Sequence, residues 1–509
     1  MKKLIYIIPL VFLAFSCTDL ETNLYDSIPE DKFPEDANQA ALMFIPVYKP
    51  MTSFLDGGGW WFAQELTSDE MVCPTRSGDW DDGGKWRVLH QHTWNNETEA
   101  IANMWSTFYG PIPTINKYIE LTFASGAGTE AGNQILAKLK IIRAYYYYLL
   151  IDNYGDVPYV TSFVNAESNP SKTPRATIWA TLVNEIGSNI KYLNSSTSKT
   201  AVTKGMAYSL LAKLYLNAEV YTGTPHWDLA EAYCDSVMQL GYSLESSPLA
   251  PFITENQNST ENIFVIPFDE NSNTGFNLHM RTLHYNSNLT FDMPVGPWNG
   301  FAVTEKFYNT YTTDDKRVQG NSTEGIGNNK GYFLVGSQYS SDGKVIFDET
   351  ASAPLSFDPH IPALKMDASY SPIQVRMSGA RVVKFEIKLG AKENLSNDFP
   401  IFRYADILLM KAEAMIRQGK AADLQGHNAD YYVNLVRKRA GVSEWSNVTK
   451  EQLLEERGRE MFWEAHRRQD LIRFNKFNEA WWEKDASDVS RKTFPIPQWA
   501  IDSNPNLAK

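Results

Sequence analysis

Cysteine is nearly absent: the chain has three in 509 residues, Cys17, Cys73 and Cys234. That excludes a disulfide framework in a chain this long, so the fold must rest on its core, for which 43% apolar residues are enough. Whether Cys73 and Cys234 pair with each other is left open. No apolar run reaches the ~20 residues that a membrane-spanning helix needs. Basic stripes are also missing. Asp and Glu outnumber Lys and Arg by 60 to 47, for a formal charge of -13, which argues against nucleic acid as a partner. The same acidity disfavours strongly anionic ligands, although a local arginine pocket could override the mean. The sequence also lacks a Gly-x-Ser-x-Gly elbow, a His-Glu-x-x-His pair and a phosphate-cradling Gly-Lys-Ser/Thr loop.

What is present begins at the N-terminus. Met1-Lys2-Lys3 is basic, Leu4 to Phe15 is apolar, and Ser16-Cys17 puts a small residue before a cysteine. This is the pattern of an export signal over 1–16. A cysteine directly after the cut resembles the bacterial lipoprotein signal, in which that cysteine is acylated. Ala14 stands where that pattern prefers Leu, and the alternative is ordinary secretion with Cys17 free. Losing Lys2 and Lys3 with the signal moves the formal charge from -13 to -15. Thr18 to Pro34 is polar, acidic and punctuated by proline, so 17–34 reads as a lipidated flexible tether.

The remainder, 35–509, is expected to be one discontinuous domain of mainly α class. Ile135, Leu139, Ile142, Tyr146 and Leu149 form one helical stripe that ends near Asn153-Tyr154-Gly155. Ala207, Leu211, Leu214 and Ala218 form another, as do Tyr404, Leu408, Ala412 and Met415, and Leu454, Met461 and Ala465. Shorter helices are expected over 97–120, 175–193, 226–240 and 428–440. The pairs suggest stacked hairpins of the tetratricopeptide type, without a clean 34-residue consensus. Residues 246–397 are rich in Gly, Asn, Ser and Pro and fit loops and short strands. The helical scaffold is therefore placed mainly at 97–245 and 398–480, and the irregular part mainly at 51–96 and 246–397.

Five landmarks then occur in order. They are Ala144-Tyr145 through Asn153-Tyr154-Gly155-Asp156-Val157-Pro158-Tyr159, Arg403-Tyr404-Ala405-Asp406 with Ala412-Glu413-Ala414, and Val433 to Gly441. Glu455-Glu456-Arg457 running to Asp470-Leu471, and Phe494-Pro495-Ile496-Pro497 with Asn504-Pro505-Asn506-Leu507, complete them. Together they resemble the SusD/RagB outer-membrane lipoproteins of Bacteroidetes glycan-uptake systems. The resemblance implies a tetratricopeptide-like scaffold with an irregular ligand-binding face. It also implies a SusC-like TonB-dependent transporter as partner and an anchored, surface-exposed location. Asp19 and Glu21 are similar to the surface-export signal of such lipoproteins. The charged landmarks Arg403, Asp406, Glu413, Arg437, Arg439, Glu456 and Arg457 are expected to be buried ion pairs, because charges seldom leave water unpaired.

Six of the fourteen Trp lie between Trp60 and Trp105, in a stretch rich in Gly and Asp. A sugar ring offers an apolar C–H face and a rim of hydroxyls, so it is recognised by a flat aromatic beside carboxylate, amide or guanidinium groups. Trp80 between Asp79 and Asp81 meets that requirement, and so does Trp298 in Gly296-Pro297-Trp298-Asn299-Gly300. Either indole could instead anchor its loop. Weaker candidates are Trp60 and Trp61 after a glycine run, Asp69, Arg76, Tyr339 and Arg376. His90 and His92 would share a face on a strand, but two ligands do not make a metal site. No cofactor is implied. A structural calcium is compatible with the acidity, although no EF-hand loop is present.

The primary expectation is a non-catalytic, surface-anchored protein that captures a neutral oligo- or polysaccharide and passes it to the transporter. A transporter lid for a non-glycan nutrient such as peptide is the alternative. A glycoside hydrolase built on the Asp79–Asp82 cluster is the third reading.

Overall fold

Helices carry the architecture, as the periodicity of apolar residues predicts. The computed structural model describes residues 42–57, 59–195, 198–318 and 331–508; the expected export signal (1–16), Cys17 and the expected tether (17–34) lie outside the described residues. Helices α1 (Trp60–Leu66) and α2 (Glu99–Tyr109) precede α3 (Glu130–Tyr154). The Thr129 side chain caps α3 by accepting from the Gly132 amide, and the helix stops at Gly155, whose φ of 77° suits glycine. Tyr145, Tyr146, Tyr147 and Tyr148 are all buried, so this part of α3 is enclosed on every side. The hydroxyls of Tyr146 and Tyr147 donate to the carbonyls of Val47 and Val160 at 2.7 and 2.8 Å.

Three helical hairpins follow. α3 packs against α4 (Arg175–Asn189), α5 (Lys204–Leu216) against α6 (Trp227–Met238), and α7 (Tyr404–Gln418) against α8 (Ala429–Ala440). Because α6 also packs on α7, the helices on either side of residues 239–403 are neighbours in space. α9 (Lys450–Met461) and α10 (Arg467–Arg473) complete the helical part. The mainly α, helical-hairpin expectation holds.

The strands are short. Those that matter here are β1 (Met71–Val72), β2 (Thr75–Arg76), β3 (Asn262–Ile266), β4 (Ala302–Val303), β5 (Lys365–Met366) and β6 (Phe399–Arg403). The segment between α6 and α7 leaves along β3 and returns antiparallel along β6, with Asn262 opposite Arg403. The pairs β1–β4 and β2–β5 join residues 71–76 to that segment. Pro46–Lys509 clusters as one compact unit. Cys73 and Cys234 are both free and buried.

The charged landmarks form a buried ionic network. Arg403 pairs with Glu261, Glu460 and Glu464 at 2.7, 2.7 and 2.6 Å. Arg439 pairs with Glu261 at 2.6 Å, and Arg317 reaches Glu456 at 2.8 Å. Arg457 holds Asp406 at 2.9 Å, and Arg473 holds Glu413 at 2.6 Å. Burial alone would lower the pKa of Arg403, but Glu464 and Glu460 reverse the shift and hold it well above the ordinary guanidinium value. These residues tie β3, β6 and the last helices together and present nothing to a ligand.

Candidate functional site

The Gly78-Asp79-Trp80 turn follows β2. Trp80 has a φ of 61°, a left-handed conformation that is rare for a bulky residue. Two contacts hold it there. Its indole N–H donates to the Trp298 carbonyl at 2.7 Å, and its ring lies on Gly300, where a Cβ would come within 2.4 Å of the indole. Phe301 and Trp86 flank the ring at centroid distances of 5.3 and 5.9 Å. Trp80 nevertheless stays partly exposed, as does Trp298. Trp80 therefore anchors its loop on one side and remains accessible on the other.

Around the two indoles, the polar groups are arranged in matched pairs. The Arg281 guanidinium lies 5.2 Å from the Trp298 ring centre and pairs with Asp56 at 3.1 Å. Arg376 stacks over Tyr285 at 4.7 Å and pairs with Asp348 at 2.6 Å. Arg87 pairs with Asp81 at 2.7 Å. The Tyr285 hydroxyl donates to Asp79. Burial first, and Asp79 second, push the Tyr285 pKa up to about 12, so the phenol stays neutral. His284 lies 3.0 Å from Asp348. Its own burial and the nearby Arg381 press its pKa down to about 3, so it is uncharged at neutral pH. Phe347, 43% exposed, extends the apolar surface, and its carbonyl accepts from the Asn286 side chain at 3.1 Å. Tyr339 bridges Val345, two residues before Phe347, and the Ser341 amide between them donates to the Leu289 carbonyl at 2.8 Å.

Two arginines form a frame beneath this surface. Arg76 donates to the carbonyls of Gly300, Val375 and Ser378 at 3.3, 2.8 and 3.1 Å. Arg381 donates to the carbonyls of Ser378 and Gly379 at 2.7 and 2.9 Å and to the Asn299 side chain at 2.8 Å. Burial lowers the pKa of both guanidiniums. They fix the 296–300 loop and the 375–381 segment, the end of the Pro372–Met377 helix and the turn after it, against each other and so set the position of Trp298 and Arg376.

The structure thus brings Asp79, Trp80, Trp298 and Arg376 together, with Asp81 at the edge, while Tyr339 is placed by its bridge to Val345 and makes none of these contacts. Four sequence candidates fall elsewhere. Trp61 is fully buried and meets Trp463 edge-on at 4.7 Å, and Trp60 is 8% exposed against Phe54 and Phe399. Both belong to the core, because Gly59 serves a tight entry into α1: a Cβ there would meet the Asp56 and Ser53 carbonyls at 3.2 Å. Asp69 is committed to Arg467 through two bonds of 2.7 and 2.9 Å. Arg76 is 3% exposed and acts from below. Sequence reasoning missed Tyr285, Arg281 and Phe347, which carry no local signal.

His90 and His92 are not a ligand pair. His90 ends a helix and lies 2.8 Å from the Trp482 carbonyl, whereas His92 contacts Ser487 and the Thr67 carbonyl at 3.0 and 2.9 Å. Among the described residues, no group of three or more His, Cys, Asp or Glu is arranged to hold a metal ion.

Two family models match the chain. The SusD family matches residues 367–509, and a family described as "Starch-binding associating with outer membrane" matches 63–216. Between them they cover more than half of the chain. The starch-binding protein SusD of Bacteroides thetaiotaomicron is 24% identical over 406 residues, spanning 73% of this chain and 72% of that protein. A SusD superfamily protein from Parabacteroides distasonis superposes with a TM-score of 0.73 at 17% identity, over 92% of this chain and 98% of its own. Surface glycan-binding protein A of Bacteroides thetaiotaomicron, solved with laminarihexaose, gives 0.68 at 20% identity, over 92% and 98%. The order of the landmarks, the helical hairpins and these matches agree: the chain belongs to the SusD/RagB family.

Proposed function

We propose that this protein captures a neutral oligo- or polysaccharide on the Trp80–Trp298 surface, without cleaving it. It is further proposed to be anchored through Cys17 at the outer face of the outer membrane and to hand the glycan to a SusC-like TonB-dependent transporter. The observation that carries the reading is the arrangement itself: two partly exposed indoles and a phenol lie among Arg281, Arg376, Asp56 and Asp79. Aromatic faces match the C–H face of a sugar, and the polar groups match its hydroxyl rim. Arg281, Arg376 and Arg87 each have a carboxylate partner, which favours a neutral ligand over a uronate or sulfate. Relatives that bind starch or carry laminarihexaose support the ligand class.

Capture for transfer needs only modest affinity. A micromolar to millimolar Kd corresponds to roughly 4 to 8 kcal/mol. The test is a polysaccharide screen by affinity electrophoresis and calorimetry, using the soluble form that begins after Cys17. The expected result is binding without new reducing ends, weakened at least about tenfold by Trp80→Ala or Trp298→Ala. Unchanged binding in both variants, each correctly folded, would overturn the site assignment.

A further inference from the structure

A second hollow opens at the opposite end of β4 from the platform. It measures about 200 Å³ and is lined by Thr304, Glu305, Lys306, Asn309, Ile361 and Trp482. That is below the roughly 300–1,000 Å³ of pockets for drug-sized ligands and suits a single small ring. None of these residues belongs to the Trp80–Trp298 surface. We infer that this hollow is a second saccharide site, taking one neutral sugar residue on the Trp482 ring.

The walls carry the inference. Trp482 is partly exposed and backed by the apolar cluster of Val72, Ala302, Ile361 and Leu364. Its backbone carbonyl lies 2.8 Å from the His90 ring, which also meets its indole edge-on at 5.8 Å, so the side chain is held in place. Thr304 fixes the floor, its hydroxyl donating to the Asp69 carbonyl at 2.7 Å. Glu305, Lys306 and Asn309 are exposed at the rim and supply an acceptor, a donor and an amide. His360 lies 2.7 Å from Glu305 and orients its carboxylate. An apolar ring wall beside a mixed rim of donors and acceptors is what a pyranose requires. Opposite charges on Glu305 and Lys306 select against neither a free hydroxyl nor an N-acetyl group.

The hollow lies close to the platform. Gly300 and Thr304 bracket β4, and four residues of extended chain span at most about 14 Å.

Saturation-transfer NMR with free glucose, galactose, mannose and xylose tests the site on its own. The protein used is the soluble form carrying Trp80→Ala and Trp298→Ala, so that the platform does not contribute. At least one sugar is expected to receive saturation. The signal should then fall at least fivefold when Trp482→Ala is added and, separately, when Glu305→Ala/Asn309→Ala is added. The second pair changes only exposed side chains, so it covers the case in which Trp482→Ala does not fold. No transfer to any sugar in the platform-less protein, or a signal that survives in either folded variant, overturns the second site. The outcome is independent of whether the platform itself binds glycan.

Discussion

Buried arginines do different work in two regions of this molecule. In the helical scaffold, Arg403 lies among three carboxylates and its pKa is raised. Under the platform, Arg381 donates to carbonyls and an amide oxygen, and burial lowers its pKa well below the ordinary value. The first arrangement neutralises charge inside the core and joins distant elements. The second has no charged partner in those contacts and uses the planar fork of guanidinium as a clip for loop carbonyls. The scaffold arginines therefore govern whether the chain folds, and the platform arginines govern where two loops stand.

The largest expected effect comes from breaking the scaffold side. Arg403→Met leaves Glu261, Glu460 and Glu464 buried with one cation fewer, and removing one partner of a buried pair costs about 3–5 kcal/mol. Urea unfolding monitored by circular dichroism measures it. Arg381→Met should cost less, about 1–3 kcal/mol for acceptors left without donors, yet it should weaken glycan binding because the 296–300 loop loses its clip. Equal destabilisation by the two variants would erase the distinction between the regions. Gly300→Ala is a finer probe. Its Cβ would meet the Trp80 ring at 2.4 Å, so binding should fall about tenfold, or ~1.4 kcal/mol, with a smaller change in Tm than Arg403→Met produces.

The smallest effect concerns pH and a buried carboxylate pair at the end of α1 and just after it. Glu65 and Glu70 are both fully buried. Burial pushes the Glu65 pKa up from 4.5 to about 7, and burial together with Glu65 raises that of Glu70. Between about pH 4.5 and pH 7 the folded chain holds a proton that the unfolded chain has already lost, so this pair's contribution to stability falls as pH rises through that window. Glu70→Gln should flatten the decline and raise Tm at pH 8 relative to the parent protein. A thermal-shift series from pH 4.5 to 8 checks it; identical slopes would refute the assignment.

Much of the helical part was legible because its signals are local. Gly155 marks the end of α3, and the expected helix over 428–440 is Ala429–Ala440, stopped by Gly441 at φ 79°. The stretch expected as one helix over 97–120 breaks instead: α2 ends at Tyr109, and a new helix starts after Pro111. Proline lacks the N–H needed to continue the ladder. The platform was half legible. Trp80 and Trp298 stood out by composition, but Trp60 and Trp61 shared that composition and proved to be core. Tyr285 gave no signal, because its partner Asp79 is 206 residues away in the chain.

The sequence by itself determined the helical hairpins and the charged landmarks that mark the family, because periodicity, caps and breakers act within a few residues. Only the tertiary structure decided which tryptophans face solvent. That choice depends on contacts such as Gly300 beneath Trp80 and Trp463 against Trp61, and burial is a property of the packed chain, not of the residue type.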